Sequence, residues 1–344
     1  MFRPAAILVI GFTIFLAVFA ARVSGKTMIK TIQQTDLEGM LSLTKDMTNK
    51  YPDWNQTTPA CNWTGVTCNA GPTGPFVQTI LWNSRGLGGT PNFATLPVGL
   101  QFLYMHTNQL VGTPNLGSLN SELLMLALYQ NDFTGTPNLC CLNEKLQELY
   151  LYSNSFTGEP DLSRLNTGLH QLDISDNQFT GTPKLDTLPD GLLLMLLEVN
   201  NFTGTPDLTK LNKNLQALRL DRNQFTGTPD LTLLPQGDGT FANPGLLGLF
   251  LNGNQFTGTP NLSKLPPMLE NLPLFDNRFQ GNGSFPPNVV PPNGPVPASG
   301  PVWCDRCRCP EQCPPCNVQS NMCGAGKDGT FDCGVTTGKG LWHC

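Results

Sequence analysis

The sequence has 344 residues, of which 13% are charged, and a formal net charge of −5; the charged share is about half the usual one. With no basic stripe to neutralise phosphates, nucleic acid is excluded as a partner. Length alone suggests about two domains, a prior that does not bind a chain growing by stacked repeats.

Arg3 precedes an apolar run from Ala5 to Ala21, closed by the small residues Ala20, Ala21, Ser24 and Gly25. The pattern predicts a secretory signal peptide over residues 1–25, cleaved between Ala20 and Gly25; the run is at the short limit for a membrane span. No second apolar run follows, and Gly340 to Cys344 lack the hydrophobic tail of a lipid-anchor signal. The expectation is a secreted, extracellular protein, with association to a cell surface left open.

Residues 26–75 read as an N-terminal cap. Between Met28 and Lys50 apolar residues recur at Ile32, Leu37, Met40, Leu41, Leu43 and Met47, a helical spacing, and Thr35 with Glu38 suggests the capping box that opens the helix. The block from Trp54 to Cys68 follows, with Cys61, Trp63, Gly65 and Val66 inside it. A helix and a short cysteine loop are what a stacked array needs to cover its first coil.

From 76 to 284 one frame repeats, L-x-x-L-x-L-x-x-N-x-F-x-G-T-P-x-L. It places Asn108, Asn131, Asn154, Asn177, Asn200 and Asn223 at 23-residue intervals, then Asn254 after 31 and Asn277 after 23 more; an earlier copy carries Arg85 in place of Asn, making nine units. A fixed period in this range with this Leu/Asn grammar is the leucine-rich-repeat signature. The L-x-L pair alternates as a short strand does, sending both leucines into the core. The Asn two residues later is predicted to bond the turn backbone of neighbouring coils, and the Phe at Phe133, Phe156, Phe179, Phe202, Phe225, Phe256 and Phe279 forms a second apolar column. The predicted fold is thus a curved solenoid with parallel strands on its concave face and irregular or 3-10 connections on the convex face.

The Cys61 to Cys68 block resembles the N-terminal cap of plant-type leucine-rich-repeat ectodomains, and in an oxidising compartment that pair is expected to be bridged. The repeats differ from plant units, which usually read Gly-x-Ile-Pro over 24 residues; these read Phe-Thr-Gly-Thr-Pro-Asp-Leu-Thr over 23. That form resembles the promastigote surface antigen family of kinetoplastid protists, over about Met28 to Gly283. The resemblance implies a surface or secreted protein in contact with a host, often lipid-anchored; the missing anchor signal is a departure from it.

The outward side of the strands is where function is expected. Between the two core leucines the units carry Leu81, Tyr104, Ala127, Tyr150, Asp173, Leu196, Arg219, Phe250 and Pro273; two residues on they carry Asn83, His106, Tyr129, Tyr152, Ser175, Glu198, Asp221, Asn252 and Phe275. Four of the five tyrosines fall in these columns, and Tyr is favoured at binding surfaces for its large, low-entropy contact area. Tyr104, His106, Tyr129, Tyr150, Tyr152, Asp173, Arg219 and Phe250 are the candidate partner-binding residues; the alternative is cross-strand aromatic packing without a partner. The charged section Asp173, Glu198, Arg219, Asp221 and Arg222 reads as a solvated face.

Two irregularities interrupt the array. Cys140 and Cys141 stand where another unit has Thr209 and Lys210; they suggest a disulfide-linked oligomer or a bridge to the tail, against two buried thiols. An eight-residue insertion, Gln236 to Asn243, precedes the eighth strand.

Seven prolines between Pro286 and Pro301 make residues 285–302 a stiff linker, reaching on the order of 50 Å. Residues 303–344 then hold eight cysteines, Cys304, Cys307, Cys309, Cys313, Cys316, Cys323, Cys333 and Cys344. The gap between the two C-x-x-C pairs is too short for the usual zinc spacing, so a disulfide module is expected, with no metal or other cofactor. Glycosylation acceptors occur at Asn55, Asn62, Asn201, Asn261 and Asn282.

The three histidines, His106, His170 and His343, lie apart and none is paired with a nucleophile in a recognised motif, so no enzymatic activity is expected. The predicted function is recognition or adhesion of an extracellular protein or glycan through the concave face. A secreted hydrolase inhibitor resembling plant polygalacturonase inhibitors and a structural coat protein are the alternatives. The first calls for a charge-focused face and a cysteine-paired cap directly after the last repeat; the second calls for multimers released only by reductant.

Overall fold

The structure, a computed structural model, describes residues 31–72 and 74–280, with the backbone of the short strands Ala20–Val23, Lys26–Ile29 and Val335–Thr336. The predicted leader, the proline linker, the module from Cys304 to Cys344 and Asn282 lie outside the residues whose surroundings are described.

The repeat frame folds as a leucine-rich-repeat solenoid. Nine parallel strands, from Gly74–Leu81 through Phe102–Tyr104, Met125–Ala127, Glu148–Tyr150, Gln171–Asp173, Leu194–Leu196, Ala217–Arg219 and Gly248–Phe250 to Asn271–Leu272, line one face. Their register follows the period, Leu126 against Leu149, Leu149 against Leu172 and Leu172 against Met195. Seven of these strands are three residues long, with a central leucine or methionine turned inward; the second core leucine, such as Leu151, enters the turn.

Each ladder asparagine spans two coils. Asn200 donates through Nδ2 to Ile174 O (3.1 Å) in the preceding coil and Leu197 O (3.2 Å) in its own, while its Oδ1 accepts from Phe179 N (3.0 Å). The buried turn backbone is thereby satisfied at every level. The residue before it adopts positive φ in most coils, including the β-branched Val199 at 53°, a strained conformation for that side chain.

The period did not announce a second parallel sheet behind the first, built from Gly88–Thr90, Gln109–Gly112, Asp132–Gly135, Ser155–Gly158 and Gln178–Phe179. Here the Gly-Thr-Pro motif is more than a turn breaker. Gly158 has φ of 79°, and a Cβ on it would collide with the Thr136 hydroxyl of the preceding coil, so only Gly fits. That hydroxyl instead donates to Thr157 O at 2.8 Å. The 3-10 turns Phe93–Thr95 and Leu116–Ser118 complete the convex side of the first coils.

The cap is shorter and differently started than its spacing suggested. The helix runs Ile32–Leu43 and is capped by Thr31, whose Oγ1 accepts from Gln34 N at 3.3 Å. Thr35 lies inside the first turn and donates to Thr31 O (3.2 Å); Thr31 and Gln34 repeat the capping spacing four residues earlier. Residues Asp46–Thr48 then leave the helix to extend the second sheet, antiparallel to Gly88–Thr90. Cys61 and Cys68 are bridged. Trp54 stacks on Trp82 of the first coil at 3.9 Å and on Trp63 at 6.1 Å, and both Trp54 Nε1 and Trp82 Nε1 donate to Thr64 O. Buried Asp36 accepts from Val77 N at 2.8 Å, tying the helix to the first strand; burial pushes its carboxyl up to about 6.

Candidate functional site

Consecutive strands place equivalent side chains side by side, about 4.8 Å apart. On the concave face this brings His106, Tyr129 and Tyr152 into one stack, with ring centroids 4.1 and 4.3 Å apart and planes inclined by 10° and 9°. The row ends at the next coil, where Ser175 takes the position. Burial between neighbours keeps the His106 imidazole below its ordinary value and pushes the Tyr152 phenol up to about 12. The rings are half-buried, each lying against its neighbours and open toward solvent on the concave side.

The second column brings Tyr104 and Tyr150 beside the stack, separated by Ala127, which is buried. The Tyr150 hydroxyl donates to Glu148 Oε2 (2.9 Å) and lies 2.8 Å from Gln171 Oε1. Burial, then Glu148, raises its pKa well above the ordinary phenol value. Sequence reasoning missed Glu148 because it considered two outward columns where the strands present three; the residue two places before Tyr150 was the available signal.

Asp173 pairs across from Tyr150 and is 8% exposed. Its Oδ1 accepts from Ser175 N (3.0 Å) and Ser175 Oγ (2.6 Å). Burial raises its carboxyl despite these bonds and Arg219. The charged section is therefore not the solvated face its composition suggested. Asp173, Glu198 and Asp221 are all buried, and Arg219 is gripped from two sides, Nη1 to Glu198 Oε1 at 3.0 Å and Nε to Asp221 Oδ1 at 3.1 Å, with its guanidinium 5.0 Å from the Phe250 ring. Arg219 and Phe250 are thus each other's partners. Arg222 remains exposed, 3.3 Å from Asp221.

The insertion forms a defined loop. Asp238 N donates to Asn243 O (3.0 Å), and the loop's Ala242 and Asn243 border an open pocket of about 300 Å³ with His170, Asp190, Asn214 and Gln216. Phe241 at its tip is 96% exposed. Cys140 and Cys141 are free, with Sγ atoms 3.1 Å apart and Cys141 exposed, so they are not buried thiols. Asn62, Asn201 and Asn261 are exposed, while Asn55 uses its Oδ1 in a turn with Thr57 and Thr58. Among the described residues no group of His, Cys, Asp and Glu could hold a metal ion, and no helix is long and apolar enough to cross a membrane.

Residues 33–69 match the leucine rich repeat N-terminal domain family. The fold is similar to that of the PEPR1–AtPEP1 structure, with 27% identity and a TM-score of 0.59 over 73% of this chain and 36% of that one. It is also similar to the leucine-rich-repeat ectodomain of the plant membrane receptor kinase GASSHO1/SCHENGEN3 from Arabidopsis thaliana, solved with CASPARIAN STRIP INTEGRITY FACTOR 2; identity is 28% and the TM-score 0.50, over 72% of this chain and 33% of that one. The chain spans about a third of the length of these structures. Among curated proteins none matches it.

Proposed function

We propose that this chain is an extracellular recognition protein that binds a protein or peptide partner through its concave face, without enzymatic activity. The observation that carries the reading is the row His106, Tyr129 and Tyr152, whose rings are aligned over three strands and left open on the concave side. Aligned, pre-ordered aromatic rings lose little entropy on binding. The PEPR1–AtPEP1 structure and the receptor-kinase ectodomain solved in complex with CASPARIAN STRIP INTEGRITY FACTOR 2 support a partner-binding role for this fold. Tyr104, Tyr150 and Asp173 extend the surface, and Phe241 offers a second contact at the rim. Secretion rests on the leader-like Ala5 to Ala21 run, and sugar attachment on the exposed Asn62, Asn201 and Asn261. The 23-residue Phe-Thr-Gly-Thr-Pro form supports a kinetoplastid-type surface protein as the nearer kin.

The test is affinity capture from extracellular fluid with the full chain and with a Tyr129→Ala, Tyr152→Ala variant at matched folded fraction. The expected result is a partner retained by the parent chain and lost by the variant. Equal capture by both would overturn the reading.

A further inference from the structure

The three outward columns of the nine strands carry four carboxylates, Glu148, Asp173, Glu198 and Asp221, against a single guanidinium, Arg219, and no lysine. Arg219 is spent on Glu198 and Asp221. Even there one acceptor is left over, since Glu198 Oε2 is buried with no hydrogen-bond partner and the residue is 8% exposed. Among the described residues no basic side chain forms an ion pair with Glu148 or Asp173, which stand on either side of Tyr150, next to the end of the ring row at Tyr152. Carboxylates withdrawn from water without a cation leave their desolvation cost unmet, and a ring face beside them attracts the same kind of group.

The face is also long and narrow. The three outward columns span five residues, about 15 Å, and nine strands extend about 40 Å. An area of about 600 Å² is below the roughly 800 Å² that a globular partner commonly covers per side. It suits one extended chain.

We infer that the Tyr150 end of the row is a subsite for an arginine or lysine side chain of an extended basic peptide, the cation held by Asp173 and Glu148 against the faces of Tyr150 and Tyr152. The inference rests on the concave face being the recognition surface. Arg219 stands two strands beyond Asp173 and is held by Glu198 and Asp221.

The experiment titrates the full chain with oligoarginine, oligoglutamate and neutral Gly-Ser peptides of equal length, read by anisotropy of a label on the peptide. Oligoarginine should bind and the other two should not. Asp173→Asn, which keeps the shape that Ser175 bonds, and Glu148→Gln should each weaken oligoarginine binding by about tenfold, as expected for a charge-assisted contact. Asp132→Asn, an exposed acid on the second sheet, makes the same change in net charge and should leave binding unaltered. Equal binding of oligoglutamate or the neutral peptide, or an equal loss in Asp132→Asn, would sink the assignment. If the parent chain captures a partner in a Tyr152-dependent way yet ignores oligoarginine, the recognition face stands and the cationic subsite falls. If capture is also indifferent to Tyr152, both fall.

Discussion

Two ladders of stacked rings run through this solenoid, and they differ in everything but their period. The phenylalanine ladder, Phe133 through Phe279, holds centroid spacings of 6.0 to 6.2 Å over seven rings inclined by 3° to 16°, and all of its rings are buried. The concave row has three rings at 4.1 and 4.3 Å, half-buried, and stops where Ser175 replaces an aromatic. A ladder that seven consecutive coils continue, with buried Leu87 and Leu110 in its place in the first two, belongs to the stacking energy of the array. A row that begins and ends within three coils is not needed for stacking, and its position on a single stretch of the face is what a contact surface requires.

The comparison breaks most visibly if the buried ladder is damaged. Phe179→Ala should cost about 3 to 5 kcal/mol, through lost burial and the cavity left between Phe156 and Phe202. Chemical denaturation of the variant should show the loss, and a change under 1 kcal/mol would mean that the coils repack around the gap. The lid comes next. Replacing Cys68 by Ser opens the bridge to Cys61 and should cost about 2 to 4 kcal/mol. The early coils, whose Trp82 is covered by Trp54, should be the first to lose amide protection in hydrogen exchange; uniform loss along the array would contradict a lid that guards one end.

Most of the buried ladder could be read from the sequence, because its grammar is repeated in seven consecutive units. The constant Leu, Asn and Phe positions are those the core and the turn backbone demand. The cap helix was visible from its apolar spacing, but its start was misplaced because Thr31 with Gln34 and Thr35 with Glu38 offer the same cue four residues apart. The second sheet was hidden because the residues in it, Thr and Gly, are also turn residues, and only stacking decides between the two. The site was half legible. The tyrosine columns stood out, whereas the burial of Asp173, Glu198 and Asp221 depends on which neighbour each meets across the strands. Those pairings, Arg219 with Glu198 from the adjacent coil above all, exist only once the register is known.

Acidity offers a smaller and more local probe of the same division. The Asp36 carboxyl, held at the joint between lid and first strand, has its folded-state value raised from 3.8 to about 6 by burial. The folded chain thus holds this proton more tightly than the unfolded one. The cost of ionising it is absent near pH 4, grows through pH 6 and is complete above about 7, so this group stabilises the fold as pH is lowered from 7 toward 4. Asp36→Asn retains an acceptor for Val77 N but cannot ionise. Its melting temperature should therefore gain on the parent chain at pH 7 and lose that advantage near pH 4. Parallel profiles for the two proteins would reject the assignment.

The smallest expected change in stability is the most informative one. Tyr152 lies against Tyr129 on one side only, because the next coil presents Ser175, and its outer face is open. Removing it deletes one stacked contact without leaving an enclosed cavity, so Tyr152→Ala should alter folding stability by about 1 kcal/mol or less. Binding should suffer more, by about 2 kcal/mol, as aromatic contact residues do. Tyr129→Ala removes a ring with neighbours on both sides and should cost somewhat more stability, a gradation expected of stacking alone. The ratio of the two effects separates the ladders. In the phenylalanine column a substitution should lower melting and leave the affinity of the remaining folded protein intact. In the concave row it should leave melting nearly intact and lower affinity. Tyr152→Ala melting as early as Phe179→Ala, with partner affinity unchanged, would place the concave row in the same class as the buried ladder and remove the basis for a recognition surface there.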